Sequence, residues 1–531
     1  MSRRPRSHAL VALLVLGCGS GASRTPDPPP ATAPGADVTV DVDTTRDVRP
    51  ISPFVYGVNR PEVFEAQPEG VFTFLRSGGN RLSAYDWETN DSNAAEDVGF
   101  QNDGDLLEST APGGLASELG EMADRRGAAL LLTLSMIGRV AADRRADGDI
   151  RETPNHLETR MHRSVARCPH PVDAAPDPSD DVVCQDQYVA FVERLRGPGR
   201  TWWSLDNEPS AWPRVHAEAR TQPVTYAELI STSILYAGRV REVAPRARIF
   251  GPALFGWPAY TRLTNAPDHG DRDFLAFYLD GMRQAGEATG RRLLDVLDLH
   301  WYPDVSVDGT STTSGSSAEP VASLRTQLPR SLYDPSYREP SWIVDDWLEE
   351  PVQLLPRLRR LVDAHYPGTE LALTEYSYGG GTDVSGAVAQ ADALGALGRA
   401  GLFAAAWWPL YDQEHSHSLG AFHMYRRLDE EGTRFGDRSV PATVSDLERA
   451  SAWASLDAEH EGRVVIVLIA RGRGLTIGLR VHAARALGAA RVFHLDPSTA
   501  RPVADGTLSP TGEGAYRVRM PGRGVATLVI D

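Results

Sequence analysis

The 531-residue sequence contains no lysine, and it contains 54 arginines. A lysine Schiff base and a phosphate-binding loop that depends on a lysine are therefore both excluded. Acidic residues outnumber basic ones by 71 to 54, and the formal net charge is −17. Because the phosphate backbone of nucleic acid attracts positively charged protein, this balance argues against a nucleic-acid partner.

Cysteine is also scarce, with three residues in the whole chain. Cys168 and Cys184 flank a segment rich in proline and aspartate. In an exported protein, an isolated pair of this kind predicts a local disulfide. A metal site is the alternative interpretation, but no further cysteine lies at ligand spacing, and the nearby His170 makes a poor site on its own.

The amino-terminal apolar run, residues 9–16, is too short to cross a bilayer as a mature helix. Three arginines precede it, and it ends in Val-Leu-Gly-Cys, which resembles a bacterial lipobox. We therefore expect residues 1–18 to be a lipoprotein signal with acylation of Cys18; an ordinary signal peptide is the alternative. Residues 19–36 predict a flexible tether. The protein is then exported, and meets a membrane only through its lipid anchor.

Apolar segments of strand length recur eight times along the chain, at 54–59, 72–80, 128–136, 201–208, 248–254, 294–302, 370–376 and 401–409. Helical segments lie between several of them, at 115–126, 226–243, 272–289, 354–365 and 385–400. This alternation predicts parallel βα units, and eight units predict a closed (β/α)8 barrel of the α/β class over residues 51–425. The long connections are expected to form loops over one barrel face, at 81–114, 137–200 and 303–353.

The pattern changes after residue 425 to short strands separated by turn residues, at 464–469, 475–481, 490–495 and 525–530. This predicts a small all-β sandwich over residues 426–531. Residues 37–50 alternate apolar and polar side chains, so they are predicted to contribute a strand to the same sandwich. Since the motif residues described next all fall in the barrel, the sandwich is expected to be structural.

Two predicted barrel strands deliver a glutamate at their ends. Glu208 follows the fourth in TWWSLDNEP, and Glu375 ends the seventh in ELALTEY. In a parallel barrel, catalytic groups lie where the strands end. One protonated and one ionised carboxyl group are the minimal equipment for cleaving a glycosidic bond. A structural ion pair is the alternative interpretation of either glutamate.

Several segments resemble, in order, glycoside hydrolase family 44: SGGNRLSAYDWETNDSNAAED, SLDNEPSAW, LLDVLDLHWYPD, EPSWIVDDW and LALTEYSYGGGTDVSGAVAQADALGALGRAGLFAAAWWP. The resemblance covers residues 50–425, and the tail is similar to that family's accessory β-domain. It implies a retaining, endo-acting hydrolase of β-1,4-glucans such as cellulose-type glucans and xyloglucan, with no cofactor. By position it implies that Glu208 is the general acid/base and Glu375 the nucleophile.

The resemblance also implies aromatic side chains along a substrate cleft, at Trp87, Trp342, Trp347 and Trp408. Asn207 is expected to hydrogen-bond a sugar 2-hydroxyl, a contact that tightens in the transition state. His300 and Tyr302, at the end of the sixth predicted strand, either orient the nucleophile or are polar core groups. The sequence departs from the family pattern after Trp212 and over 150–190, which bears on loop shape and substrate preference.

Other interpretations of the same residues stay open. A β-mannanase or xylanase would use the same barrel and glutamates, whereas a non-catalytic glycan-binding lipoprotein would not need both. Glu414-His415-Ser416-His417 could bind a metal, but no third ligand is fixed by spacing, so we predict no metal site. A β-glucan polysaccharide is the expected partner, and the protein is expected to be a monomer.

Overall fold

The computed structural model describes residues 33–410 and 414–531. The predicted signal segment with Cys18, and the predicted tether up to residue 32, lie outside these ranges. Within them, no helix combines the length and apolar character that crossing a bilayer requires.

Eight parallel strands close into a barrel in sequence order: Gly57–Val58, Phe74–Arg76, Ala129–Leu134, Thr201–Leu205, Ile249–Leu254, Val296–Trp301, Glu370–Tyr376 and Ala404–Trp407. We refer to them as the first to eighth barrel strands. Each lies within one of the eight predicted segments, and the predicted fold class is confirmed. Their near-continuous apolar sequences reflect burial on both faces, by the barrel interior and by the surrounding helices.

A helix follows every barrel strand and packs on its outside: Pro61–Ala66, Gly114–Arg125, Gln185–Arg196, Tyr226–Val243, Phe274–Thr289, Leu354–His365, Val384–Arg399 and Ser416–Arg426. Local sequence explains several of their ends. Thr225 accepts a hydrogen bond from the backbone N–H of Glu228 at 3.0 Å and starts the fourth of these helices. Gly290, with φ +66°, ends the fifth in the left-handed conformation that glycine adopts without strain.

An aromatic cluster closes the amino-terminal end of the barrel. Trp202 packs edge-on against Phe54, with ring centroids 4.9 Å apart, and stacks on Phe250 at 5.5 Å. Phe403 completes the cluster, 5.1 Å from Trp202. Because large rings fill this end of the interior, open space for a ligand remains at the carboxyl ends of the strands.

Long connections cover the carboxyl-end face. The first contains a three-stranded sheet of Tyr85–Asp86, Asp91–Asn93 and Asn102–Asp103, and the second a sheet of Arg139–Ala141, Met161–Val165 and Val182–Cys184. The third contains the hairpin of Ser306–Val307 and Thr310–Ser311, the helices Glu319–Arg325 and Leu328–Leu332, and the π-helix Ile343–Leu348. Cys168 and Cys184 form a disulfide in the second connection, with Cα atoms 5.1 Å apart.

The β-sandwich consists of a four-stranded and a seven-stranded sheet. The first contains Ala442–Val444, Val38–Asp43, Leu475–His482 and Ala515–Met520. The second contains Arg49–Pro50, Arg438–Val440, Ala450–Leu456, Val464–Ala470, Gly524–Ile530, Ala490–Leu495 and Val503–Leu508. The amino-terminal strand Val38–Asp43 thus lies in the sandwich, parallel to Leu475–His482. Its inward residues Val38, Val40 and Val42 are fully buried.

The seven-stranded sheet packs on the barrel as well as on its partner sheet. In the strand Val464–Ala470, Ile466 and Leu468 belong to the sandwich core, whereas Val467 and Ile469 belong to the barrel core. Both faces are covered, which is why this strand is an unbroken apolar run in the sequence.

A buried ion pair joins the two units. Arg471 of the sandwich contacts the carboxylate of Asp392, which lies on the helix that follows the seventh barrel strand. The Asp392 carboxylate also accepts hydrogen bonds from Ser451 at 2.7 Å and from the Trp453 indole at 3.0 Å. Because both charges have hydrogen-bonding partners, this contact ties the sandwich to the barrel without leaving a buried charge unpaired.

Candidate active site

A cleft of about 1290 Å³ opens at the carboxyl ends of the barrel strands. Both predicted catalytic glutamates line it, together with Asn207, Tyr302 and Trp408. The fold therefore brings strand ends that are far apart in the sequence to one surface, as parallel barrels do.

Glu208 follows the fourth barrel strand in a sharp turn. Asp206 and Glu208 both adopt left-handed backbone conformations, with φ of +66° and +46°. Such conformations cost energy in non-glycine residues and persist where neighbouring contacts enforce them. The backbone N–H of Glu208 donates to the Ala253 carbonyl at 2.9 Å, which ties the turn to the fifth strand.

The side chain of Asp206 supplies most of the contacts that hold this turn. It is buried and accepts hydrogen bonds from the Asn207 N–H at 2.7 Å and the Ile137 N–H at 3.1 Å. The Ser83 hydroxyl and the Met136 N–H donate to the same carboxylate. Burial raises the pKa of Asp206 to about 6, against these hydrogen bonds, which lower it. Asp206 is thus a structural anchor for the strained turn.

Glu375 sits on the seventh barrel strand with 7% of its side chain exposed. One carboxylate oxygen accepts a hydrogen bond from the Arg76 guanidinium at 2.6 Å, and the other accepts one from the Tyr302 hydroxyl at 3.0 Å. Arg76 also donates to Asn59 at 2.9 Å, and so connects the ends of the first, second and seventh strands. A guanidinium hydrogen-bonds most strongly to an ionised carboxylate, so this site suits a negatively charged Glu375.

Glu208 has different surroundings, and 18% of its side chain is exposed. Burial raises the pKa of Glu208 to about 7; the positive charges of Arg76 and Arg214 lower it, and the charge of Asp97 raises it, by less. A carboxyl group with this pKa holds its proton at neutral pH in a large share of molecules, which is the requirement for a general acid.

His300 lies between the two glutamates and is fully buried. Its Nε2 is 3.3 Å from an Arg76 nitrogen, and because a guanidinium only donates, Nε2 must accept. The proton of the neutral ring is then on Nδ1, which is 2.7 Å from Glu208 Oε1 and 3.4 Å from Glu375 Oε2. Burial lowers the pKa of His300 to about 3, so the ring is neutral. His300 can therefore orient Glu208 without adding charge.

One oxygen of Glu208, one oxygen of Glu375 and one nitrogen of His300 lie within 4.8 Å of one another. A metal ion would fit such a spacing, but Arg76 already neutralises Glu375 and would repel a cation. In the described ranges, a second group that could hold a metal comprises Asp457, Glu459 and His460 on the sandwich. Glu414 and His417 belong to neither group.

Asn207 is positioned by hydrogen bonds to its side-chain oxygen and to its backbone carbonyl. Its Oδ1 accepts hydrogen bonds from Arg76 at 2.8 Å and from the Gly79 N–H at 3.2 Å. The Trp212 indole donates to its backbone carbonyl at 3.2 Å. Because Oδ1 is already occupied, the amide NH₂ is the group that Asn207 can offer to a sugar hydroxyl.

Two of the predicted cleft tryptophans, Trp342 and Trp408, line the cleft. A Cβ atom on Gly79 would lie 2.7 Å from the ring of Trp408, so a glycine is needed where the ring crosses the backbone. Trp342 is held by a hydrogen bond from its indole to Asp304 at 2.7 Å. Trp347 is 42% exposed and packs edge-on against Trp342, which places it beside the cleft.

The prediction that Trp87 is a cleft aromatic is wrong. It is 1% exposed and stacks on Tyr188, with ring centroids 5.3 Å apart. Its indole donates to the Cys184 carbonyl at 3.2 Å. The strand Tyr85–Asp86 directs this ring under the second long connection, where it fills the core instead of facing substrate.

Sequence reasoning missed Arg76, Asn59 and Asp298. Arg76 ends an otherwise apolar strand and is fully buried. Because arginine is almost never fully buried unless it is paired, an arginine in such a position indicates a buried ion-pair or hydrogen-bond partner. Asp298 lies in the sixth strand and accepts a hydrogen bond from the Thr374 hydroxyl at 2.8 Å, next to Glu375. Burial raises the pKa of Asp298 to about 7. An aspartate inside an otherwise apolar predicted strand is the sequence feature that could have indicated Asp298 as a site residue.

Comparisons with known proteins identify the family. Residues 91–305 match the model of glycoside hydrolase family 44. The chain is 34% identical over 456 residues to Endoglucanase A of Paenibacillus lautus, covering 82% of this chain and 64% of that protein. The structure of a Paenibacillus polymyxa xyloglucanase from this family, determined with xyloglucan, superposes with a TM-score of 0.88 and 32% identity, over 93% of this chain and 99% of that one. The chain belongs to glycoside hydrolase family 44.

A further relative is named Beta-mannanase/endoglucanase A, from Caldicellulosiruptor saccharolyticus, and is 31% identical over 481 residues. The alignment covers 84% of this chain and 35% of that protein. The chain thus spans less than two thirds of the length of both curated relatives. The family 44 resemblance inferred from the motifs is confirmed.

Proposed function

We propose that this family 44 protein is a retaining, endo-acting glycoside hydrolase that cleaves β-1,4-glucan backbones. The observation that carries the proposal is the pairing of Glu208 and Glu375, with carboxylate oxygens within 4.8 Å of each other. Retaining enzymes place their two carboxyl groups about 5–5.5 Å apart, whereas inverting enzymes need roughly 6.5–9.5 Å to admit a water between them. A separation within this bound leaves no room for the water of an inverting mechanism, and so supports direct attack by one of the two.

The surroundings of the two glutamates support a different role for each. In the first step, Glu375 attacks the anomeric carbon, the glycosidic C–O bond breaks, and Glu208 gives its proton to the departing sugar oxygen. In the second step, Glu208 removes a proton from water, which attacks the same carbon and releases Glu375. Retention follows because the configuration is inverted twice.

Arg76 explains how Glu208 can change from acid to base between the steps. In the free enzyme, its positive charge is offset by the carboxylate of Glu375, 2.6 Å away. Once Glu375 is esterified its charge is gone, and the uncompensated Arg76 lowers the pKa of Glu208 more strongly. The neutral His300 stays hydrogen-bonded to Glu208 throughout and keeps it in place.

An open cleft with aromatic walls supports a polymer substrate bound along its length. The faces of Trp342 and Trp408 suit the apolar faces of glucose units. A β-mannanase activity is the second candidate, favoured by the name of the Caldicellulosiruptor relative. A reducing-sugar assay on carboxymethylcellulose, xyloglucan, glucomannan and xylan separates the two, and NMR of the first product reports its anomeric configuration. An α product from a β-glucan would contradict the mechanism, and no turnover on any polymer would favour a glycan-binding protein.

The protein is further proposed to be exported and anchored to the cell envelope through Cys18, and to act as a monomer. The support is the sequence before the barrel: an apolar run that ends in Val-Leu-Gly-Cys and continues into a polar tether. A polysaccharide substrate is met outside the cell, which agrees with export. Cys18→Ser should release the enzyme from the membrane fraction or block its processing; unchanged membrane association would contradict the anchor.

A further inference from the structure

A short hairpin in the third long connection forms part of the cleft wall. Its strands Ser306–Val307 and Thr310–Ser311 pair in antiparallel fashion. Ser311 and Thr313 both line the cleft, and their hydroxyl oxygens lie 2.8 Å apart. Both side chains are partly exposed, so the pair is accessible from the cleft.

The hairpin rests directly on the backbone that follows the seventh barrel strand. A Cβ atom on Gly379 would lie 2.1 Å from the Thr313 carbonyl oxygen, and only a glycine permits that approach. The Gly380 N–H donates to the Ser314 carbonyl at 3.0 Å. The position of the hydroxyl pair is thereby coupled to the strand that carries Glu375.

Arg325 holds this arrangement from beneath. It is fully buried, and its guanidinium donates to the carbonyls of Thr312 at 2.8 Å, Ser314 at 2.8 Å and Tyr378 at 3.1 Å. It also donates to the Ser385 hydroxyl at 2.7 Å. One side chain therefore joins the hairpin, the segment after the seventh strand and the start of the following helix.

Among the described residues, the hydrogen-bond acceptors of Arg325 are three backbone carbonyls and one hydroxyl, and none is a carboxylate. Burial lowers the pKa of Arg325 to about 10, and the charge of Asp383 opposes this shift. Burying a charge without a directly bonded counter-charge is costly, but no neutral side chain presents this many donors in one plane. The geometry makes Arg325 the residue on which the shape of the hairpin depends.

We propose that Ser311, held by its two hydrogen bonds to Thr313, forms an additional substrate subsite that binds a hydroxyl group of a neutral sugar unit, and that Arg325 is its positioning residue. The inference rests on the proposed function, since it assumes a glycan in the cleft. Ser311 Oγ is bonded to the Thr313 hydroxyl and also accepts a hydrogen bond from the Thr313 N–H at 3.2 Å. Because a hydroxyl group donates once and accepts twice, Ser311 keeps one hydrogen-bonding position for a hydroxyl of a pyranose. The subsite carries no charge, and therefore selects for hydrogen bonding alone.

The first test removes the hydroxyls. The double variant Ser311→Ala with Thr313→Val should raise KM for the preferred neutral glucan about three- to tenfold and leave kcat within about twofold, as expected for lost neutral hydrogen bonds. The control variant Thr443→Val with Ser445→Ala removes two hydroxyl groups from the sandwich, and it should change neither KM nor kcat. An unchanged KM in the first variant would overturn the subsite.

The second test addresses Arg325. Arg325→Met should raise KM at least as much as the double variant, and adding the double variant to it should cause little further change, because both act on the same contacts. Arg325→Lys should recover part of the loss. Arg471→Met, at an equally buried arginine of the barrel–sandwich contact, should lower thermal stability without changing KM. Additive effects on KM would contradict the positioning role, and if Arg325→Met does not fold, the lysine and hydroxyl variants decide.

A binding measurement separates this inference from the proposed function. Calorimetric titration of a neutral cello-oligosaccharide into Glu375→Ala, with and without the hydroxyl substitutions, needs no turnover. We expect the dissociation constant to rise about three- to tenfold when the hydroxyls are removed. If the wild-type protein hydrolysed no glucan but the dissociation constant still rose on removal of the hydroxyls, the proposed function would be contradicted and the subsite would be supported. Equal affinities would overturn the subsite whatever the activity.

Discussion

The ends of the fourth and seventh barrel strands present the same side chain in different surroundings. Glu375 continues a regular strand and meets a guanidinium and a phenol, Arg76 at 2.6 Å and Tyr302 at 3.0 Å. Glu208 follows a turn with left-handed residues and meets a neutral imidazole, His300, at 2.7 Å. The comparison teaches that the groups around each carboxylate, and not its position in the barrel alone, support the different roles proposed for the two glutamates.

The physical difference is that Glu375 contacts a cation directly, whereas Glu208 contacts a neutral imidazole. Arg76 places a positive charge directly against the carboxylate of Glu375, the proposed nucleophile. For Glu208, burial is the largest influence and raises its pKa to about 7, as an acid requires. Two carboxyl groups with diverging environments are a recurrent feature of glycosidases and other acid–base enzymes.

The largest effect is expected at the seventh strand. Glu375→Ala should lower kcat by about 10⁴-fold or more on polymers and on activated aryl glycosides alike, because no other group can form the glycosyl ester. Turnover of both substrate types is the measurement. Glu370→Ala, at the exposed start of the same strand, is the control and should retain activity. Substantial aryl glycoside hydrolysis by Glu375→Ala would show that the two roles are exchanged.

The fourth strand should respond differently to the same change. Glu208→Ala should lose about 10²–10⁴-fold on polymers, whose leaving group needs a proton, and far less in the first step on aryl glycosides with good leaving groups. Added azide should partly restore turnover of those aryl substrates and yield a β-glycosyl azide, since a small anion needs no general base. Equal losses on both substrate types, without azide rescue, would remove the distinction between the two strand ends.

The pH profile sharpens the comparison further. In the proposed mechanism the acid form of Glu208 is the active one, so kcat/KM should fall about tenfold per pH unit as pH rises above the pKa of about 7. Because the charge of Arg76 lowers this pKa, Arg76→Met should move the alkaline limb to higher pH, in addition to impairing Glu375. An alkaline limb that stayed in place in Glu208→Gln would belong to another group.

The smallest effect on activity separates two tryptophans of the same predicted set. Trp408→Ala, in the cleft, should raise KM by about three- to tenfold through loss of sugar stacking, with little effect on stability. Trp87→Ala, in the core, should lower the free energy of unfolding by about 3–5 kcal/mol and leave KM unchanged. Steady-state kinetics and denaturant unfolding give both quantities. If Trp87→Ala raised KM under conditions where the variant is fully folded, Trp87 would contact substrate after all.

The barrel itself could be predicted from local patterns. A buried parallel strand is apolar along its length, so the eight strands stand out as apolar runs, and their polar ends mark the catalytic face. Glu208 and Glu375 were identifiable because each directly follows or ends such a run. The separation of 16 residues between Cys168 and Cys184 is likewise a local property, and the structure joins them.

Long-range contacts were not predictable in this way. Arg76 and Glu375 are 299 residues apart in the chain and meet only because the barrel closes. Trp87 and Trp408 are the same residue type, and whether a ring faces core or cleft depends on which loop packs over it. The sequence by itself determined the barrel, the sandwich and the two candidate catalytic glutamates. Only the tertiary structure decided the charge and burial around each glutamate, because these depend on side chains from strands remote in sequence.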